Sequence, residues 1–281
     1  MILLSGATGK IGRHLVSQLR REGAAIRVVA RDPDNAGLPD DVEVVRADLS
    51  DPRSLEDHLD DVEVVFLLWP TGGVNSAAVA VNVLARHVRR IVYLSSAGVR
   101  DGAERQADPI NQSHAELEQL VEASGLERTF IRASGFASNT LGWAEEIRDT
   151  GVVRWPYGQA SRSLIHEHDI AAVAARALTG DGHSGATYVV TGPQALTQAE
   201  QVHAIGAAIG RPVRWEELSR EDARRQLIVA FGDESTADGA LDAWTAFVSR
   251  PELVTSTVED VTGTPARTFG QWAKEHADDF R

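Results

Sequence analysis

Short apolar runs alternate with amphipathic stretches through the first half of the chain, and this alternation predicts strands and helices in turn. Ile2-Leu3-Leu4 has the length of a buried strand. Lys10 to Arg21 follows as a helix, its Ile11, Leu15, Val16 and Leu19 forming one apolar stripe able to lie on a sheet. Further strands are expected at Ala25 to Ala30 (AIRVVA), Val42 to Arg46 (VEVVR), Val62 to Leu68 (VEVVFLL), Ile91 to Leu94 (IVYL) and Arg128 to Arg132 (RTFIR). Helices are expected at Asn75 to His87 and Asn111 to Ser124. No hairpin signal interrupts the series, so the sheet is predicted to be parallel and doubly wound, with ligands across the carboxyl ends of its strands.

Beyond Arg132 the order loosens. Val152 to Tyr157 (VVRWPY) reads as a short strand with a proline stop, Ile170 to Leu178 as an alanine-rich helix and Thr187 to Val190 (TYVV) as another strand. Thr197 to Gly210 reads as a helix capped by its threonine and closed by a glycine. Arg214 to Arg281, rich in Glu, Asp and Ala, reads as helices. The expected architecture is α/β, with residues 1–135 binding the ligand and further strands coming from about 165–192. Residues 136–164 and 193–281 are expected to form a smaller, mostly helical cap.

Between the first strand and first helix, Gly6, Gly9 and Gly12 fall at three-residue spacing. Strand, glycine turn and helix together aim backbone N–H groups and the positive end of a helix at an anion, and a dinucleotide pyrophosphate fits. Gly6 permits the tight turn, Gly9 lets the backbone approach the phosphates and Gly12 lets the helix pack close to the strand. At the end of the second strand Arg31 precedes Asp32-Pro33. An arginine there favours the 2′-phosphate of NADP, whereas an acidic residue favours NAD, and Arg31 comes first. Asp48 follows the third strand, where its carboxylate can accept from an adenine amino group. Asp51-Pro52 reads as a helix start. Trp69-Pro70-Thr71-Gly72-Gly73 is expected to border the nicotinamide ribose.

Composition narrows the function. With 281 residues and 43% hydrophobic content the chain can bury one large α/β core with an appendage. A net charge of −13 and the lack of any basic run argue against nucleic acid or an anionic membrane as partner. The absence of cysteine excludes disulfides, thiolate metal sites and cysteine nucleophiles. The start Met-Ile-Leu-Leu has no basic n-region, so a cytoplasmic protein is expected. All 28 basic side chains other than Lys10 and Lys274 are arginines.

The segments SGATGKIGRHLV, VVARDP, ADLSDPRSL, YLSSAGV, SHAELEQLVEASGLERTFIRASGFASN and IHEHDIAAVAARALT occur in this order. Together they resemble the atypical short-chain dehydrogenase/reductase family, NmrA-like branch, which includes triphenylmethane reductases, type 2 quinone reductases and redox-sensing regulators. The resemblance runs from residue 2 to about Gly210 and more loosely through TGTPARTFGQWAKEH. It implies a Rossmann-like fold and an NADPH cofactor, with NADH the less favoured alternative. The implied cofactor contacts are Gly6, Ala7, Thr8, Gly9, Lys10, Ile11 and Gly12, then Arg31, Asp48, Leu49, Leu68, Trp69, Ser95 and His114.

One departure bears on the chemistry. Ordinary members of the wider family use a YxxxK pair, in which the tyrosine protonates a carbonyl oxygen and the lysine holds the ribose. The tyrosines here are Tyr93, Tyr157 and Tyr188, and four residues after them stand Ala97, Ser161 and Gly192. Placing Glu118 on the family glutamate puts Ile110 at the tyrosine position and His114 at the lysine position. His114 and Glu118 share a helix face, where the carboxylate can orient or charge the imidazole. Ser96 matches the family serine that bonds a substrate oxygen. His166, His168 and Asp169 match a structural helix start, and no metal is expected there.

The chain is therefore expected to be an NADPH-dependent reductase of a carbonyl or quinone on a flat, apolar, aromatic substrate. Ser96 and His114 are its catalytic candidates, and Trp69, Ser96, Phe136, Asn139, Trp143, Trp155 and Tyr157 are the pocket candidates. Lacking a dedicated acid, it should favour acceptors that need little proton help, such as a quinone or a ketone bonded to a neighbouring phenol. The alternative is an NADP(H)-binding sensor without turnover that reports to a protein partner.

Overall fold

The computed structural model describes residues 1–69 and 74–281, so Pro70 to Gly73 of the expected nicotinamide turn lie outside the described residues. The chain runs β1 (Ile2–Leu4), α1 (Lys10–Arg21), β2 (Ile26–Ala30), β3 (Glu43–Arg46), β4 (Val64–Leu67), α2 (Val74–Ala85), β5 (Arg90–Ser96), α3 (Pro109–Ala123) and β6 (Glu127–Ala133). It continues through α4 (Ala144–Thr150), β7 (Val152–Trp155), β8 (Ser161–Arg162), α5 (Glu167–Thr179), β9 (Thr187–Val190), β10 (Leu196–Thr197) and α6 (Gln198–Ile209). The last elements are β11 (Arg214–Glu217), α7 (Arg220–Phe231), α8 (Glu234–Ser249), α9 (Thr257–Thr262) and α10 (Phe269–Glu275).

Seven strands form one parallel sheet in the order β3-β2-β1-β4-β5-β6-β9. This is the Rossmann-like, doubly wound arrangement expected. The strand order reverses between β1 and β4, which opens a crevice at their carboxyl ends. One sheet face is covered by α1 and α5, where the stripe Ile11, Leu15, Val16 and Leu19 meets Ile170, Ala171, Ala174 and Ala175. The alanines let the two helices approach closely. The other face is covered by α2 and α3 through Ala77, Val81, Leu84, Leu117 and Val121. None of the helices among the described residues is long and apolar enough to cross a membrane.

Three local differences from the sequence expectation have clear causes. First, α3 begins at Pro109 rather than Asn111: Asp108 caps it through the Asn111 N–H, and proline at the first helical position loses no intrahelical bond. Second, the segment after Asp51 is a 3-10 helix, Pro52–His58. Third, Arg214–Glu217 is a strand pairing parallel with β7, not part of a helix. Buried Val213 and half-buried Trp215 alternate there with exposed Arg214 and Glu216, a period of two set among acidic residues. After Gly192, α6, α10 and the 3-10 helix Ala277–Phe280 pack around Trp272, and α7 pairs with α8 around Leu227 and Leu241.

A buried ion pair ties α3 to the sheet. Glu118 accepts from the Arg132 guanidinium at 3.0 and 2.6 Å and from the Ser95 hydroxyl at 2.6 Å, and Asp101 also bonds Arg132. These carboxylates hold the Arg132 guanidinium still more firmly in its charged form. Glu118→Gln keeps the shape but loses charge-assisted bonds worth roughly 1.5–3 kcal/mol. Urea unfolding should report a loss in that range, and an unchanged midpoint would mean the pair contributes nothing.

Candidate active site

The crevice at β1 is built by the three glycines. Gly6 has φ +67°, the left-handed turn that glycine adopts without strain. A Cβ on Gly12 would lie 2.3 Å from the Ala7 Cα and from the Gly6 carbonyl oxygen, so only glycine allows α1 this close to the loop. A Cβ on Gly9 would meet only the Gly6 carbonyl, at 3.3 Å. Gly9 caps α1 without a side-chain hydrogen bond, which leaves first-turn N–H groups for an anion. These features fit a dinucleotide pyrophosphate.

A groove of about 580 Å³ continues from this loop past the ends of β2, β3 and β4. Of the expected contacts, Gly6 and Thr8 line its loop end, Arg31, Asp48 and Leu49 the ends of β2 and β3, and Leu68 and Trp69 the end of β4. Ala7 and Ile11 are buried in the core beneath the loop, and Lys10 reaches the Ser138 carbonyl at 3.4 Å. The Arg31 side chain has no hydrogen-bond partner among the described residues, whereas Asp32 accepts from Asn35 at 2.6 Å and lies 3.9 Å from Arg46. The free cation and the committed carboxylate fit a 2′-phosphate better than bare ribose hydroxyls. Asp48 accepts from the Ser50 N–H, which with Arg31 nearby holds its carboxyl below the usual range.

At the end of β5 successive side chains face opposite ways. Tyr93 and Ser95 point to α3 and Ser96 to the cavity beyond. Ser95 is buried against Glu118, so its hydroxyl serves the Glu118–Arg132 pair and does not line the groove. Ser96 donates to Asn111 Oδ1 at 2.6 Å, and Asn111 donates in turn to the Asp108 carboxylate.

The geometry departs from the expected His114–Glu118 contact. Both Glu118 oxygens are taken by Ser95 and Arg132, and His114 Nδ1 instead lies 2.6 Å from the Tyr93 hydroxyl. Burial pushes the His114 pKa down, only partly offset by Glu118 and Asp108, and pushes the Tyr93 pKa up. The tyrosine therefore keeps its proton, and the bond to Nδ1 runs in the direction set by the imidazole tautomer. The lowered pKa disfavours at His114 the charge that a lysine would carry in this position.

Beside Ser96 a second cavity of about 500 Å³ opens against α7 and α8. Its wall includes Asn139, Trp143 and Trp155 from the expected set and Ile110 at the tyrosine position. Phe136 is not on this wall: it packs on the main core beside Ile165. Tyr157 packs on the α7–α8 core, with its hydroxyl accepting from Arg220. The sequence reading missed the α8 stripe Ala240, Ala243, Trp244 and Phe247, although its i, i+3, i+4, i+7 spacing was legible. It also missed Asp108, Asn111 and Arg162. His166 caps α5 by accepting from the His168 N–H, and Asp169 bonds Arg267.

The NAD(P)H-binding family model matches residues 6–181. The (4-alkanoyl-5-oxo-2,5-dihydrofuran-3-yl)methyl phosphate reductase of Streptomyces griseus is 38% identical, covering 100% of this chain and 99% of its own. The NAD(P)H azoreductase of Xenophilus azovorans is 35% identical, with the same coverage of 100% and 99%. The triphenylmethane reductase of Citrobacter sp. complexed with NADP(H) shares the fold, with a TM-score of 0.83 at 21% identity over 99% of this chain and 100% of that one. The chain belongs to the NAD(P)H-binding family and is an NAD(P)H-dependent oxidoreductase.

Proposed function

We propose that this reductase prefers NADPH and reduces a flat, largely apolar acceptor whose reduced form is a stabilised anion, such as a quinone or a ketone with an adjacent phenol. The observation that carries this reading is the largely apolar cavity of about 500 Å³ with Ser96 and, among the described residues, no tyrosine or lysine on its wall. The bound cofactor supplies the hydride. The chain's own residues orient the acceptor between indole rings beside Ser96. Asp108 fixes the Asn111 amide with Nδ2 toward itself, so Oδ1 faces Ser96 and the serine hydrogen is committed to it. Ser96 in this state is a positioning group with no proton to spare. The proton comes from water or from the substrate's own phenol.

The curated relatives accord with this chemistry. One is named for an azo substrate and another for a ring bearing both oxo and alkanoyl groups, each a conjugated acceptor. An open apolar cavity also favours turnover over a sensor without activity. The test is oxidation of NADPH with a panel of quinones and of ketones bearing a neighbouring phenol, and failure on every member would overturn this choice of acceptor.

Cofactor choice is checked separately. Arg31→Ala should weaken NADPH binding by roughly 1.5–3 kcal/mol, the scale of a charge-assisted bond, and leave NADH almost unchanged. Calorimetric titration of both cofactors decides it, and equal losses would remove Arg31 from the 2′-phosphate site.

A further inference from the structure

The cavity wall carries a charge that hydride transfer does not use. Arg162, in β8, lies there with its guanidinium 5.5 Å from the centre of the Phe247 ring. Among the described residues its side chain makes a single hydrogen bond, a long one of 3.4 Å from Nη2 to Glu252 Oε1. Glu252 is anchored independently, its Oε2 accepting from the Ser163 N–H at 2.9 Å. Arg162 Nε is buried with no acceptor, and Nη1 has no partner either. A Cβ on Gly135 would lie 2.4 Å from Nη2, so the glycine after β6 makes the room in which the guanidinium rests.

Arg162 shares the cavity wall with Leu164, Trp244 and Phe247, and although Glu252 pairs its charge at 3.4 Å, most of its donors are unspent, a cost that a ligand would relieve. The other charged group on the wall does not compete for those donors, because Asp108 is committed to α3 and Asn111. From this geometry we infer that Arg162 recognises an anionic substituent, a phosphate, sulfonate or carboxylate, on the otherwise apolar acceptor. The planar guanidinium suits such oxyanions because it can offer two parallel N–H bonds. The inference rests on the reading that this cavity takes the acceptor.

The experiment needs no turnover. Naphthalene-2-sulfonate and 2-naphthalenemethanol are titrated into the NADP⁺-loaded protein, with quenching of tryptophan fluorescence as readout, since Trp143, Trp155 and Trp244 line the cavity. The sulfonate should bind about tenfold more tightly than the alcohol, and salt should erode the difference. Arg162→Gln should abolish the preference while leaving the alcohol's affinity unchanged, and Glu252→Gln should enlarge it. Equal affinities in the wild type, or a preference that survives Arg162→Gln, would overturn the inference. Should Arg162→Gln not fold, the wild-type ratio and the Glu252→Gln variant decide. If neither ligand binds, the assignment of the cavity to the acceptor falls as well, so the two failures are told apart.

Discussion

Gly9→Val will fold as the wild type does and lose NAD(P)H affinity by about a hundredfold or more, a factor for which about 2.7 kcal/mol suffices. Its φ of −81° and ψ of 177° are open to any residue, and a Cβ there would meet only the Gly6 carbonyl at 3.3 Å. The two added methyl groups project beside the uncapped start of α1, where the pyrophosphate must approach backbone N–H groups. Gly12→Ala is the contrast. Its Cβ would fall 2.3 Å from the Ala7 Cα, so it should lower the melting temperature even without cofactor. Calorimetric titration paired with thermal melts separates the two. If Gly9→Val binds normally, the pyrophosphate lies elsewhere; if Gly12→Ala melts like the wild type, the close approach of α1 is dispensable.

The glycine loop was legible because its three requirements act within twelve residues. Gly6 and Gly12 meet local demands of the fold that glycine alone satisfies, Gly9 keeps the approach to the helix start clear, and spacing exposes all three. The parallel sheet was legible for a similar reason, since each strand and its following helix carry their own periodicity. The site beyond Ser96 was harder to read. β5 is buried on both faces apart from its last residue, so its sequence does not encode which side chains face α3 and which the cavity. Ser95 and Tyr93 fell on the α3 side for that reason, and Tyr93 met His114 although the two form no sequence motif. Glu118 found its cation across the sheet in Arg132, a partner that helical spacing cannot reveal. The hidden pairing of β11 with β7 likewise depends on a strand more than fifty residues away.

A ketone whose carbonyl is bonded to a neighbouring phenol should be reduced at least about a hundredfold faster than the same ketone without that hydroxyl. The ratio follows from what the site lacks. A positioned acid contributes on the order of a hundredfold or more, and neither Ile110 nor the committed Ser96 hydroxyl supplies one. A substrate that carries its own proton donor recovers that factor, and a quinone has no need of it because its reduced oxygen is a stabilised phenolate. 8-Hydroxy-1-tetralone and 1-tetralone form a suitable pair, followed by single-turnover oxidation of NADPH. Ser96→Ala and His114→Ala should each slow the faster ketone only about tenfold, through lost orientation of substrate and ribose. The pH profile gives an independent check. Burial lowers the His114 pKa below its ordinary 6.5, so the ring has already lost its extra proton at neutral pH and the rate should stay flat above that point. A rate that fell as pH rose through neutrality, or a reaction eliminated by His114→Ala alone, would make His114 the acid. Equal rates for the two tetralones would mean that the protein supplies the proton to either substrate, and the Tyr93–His114 pair would be the place to find it.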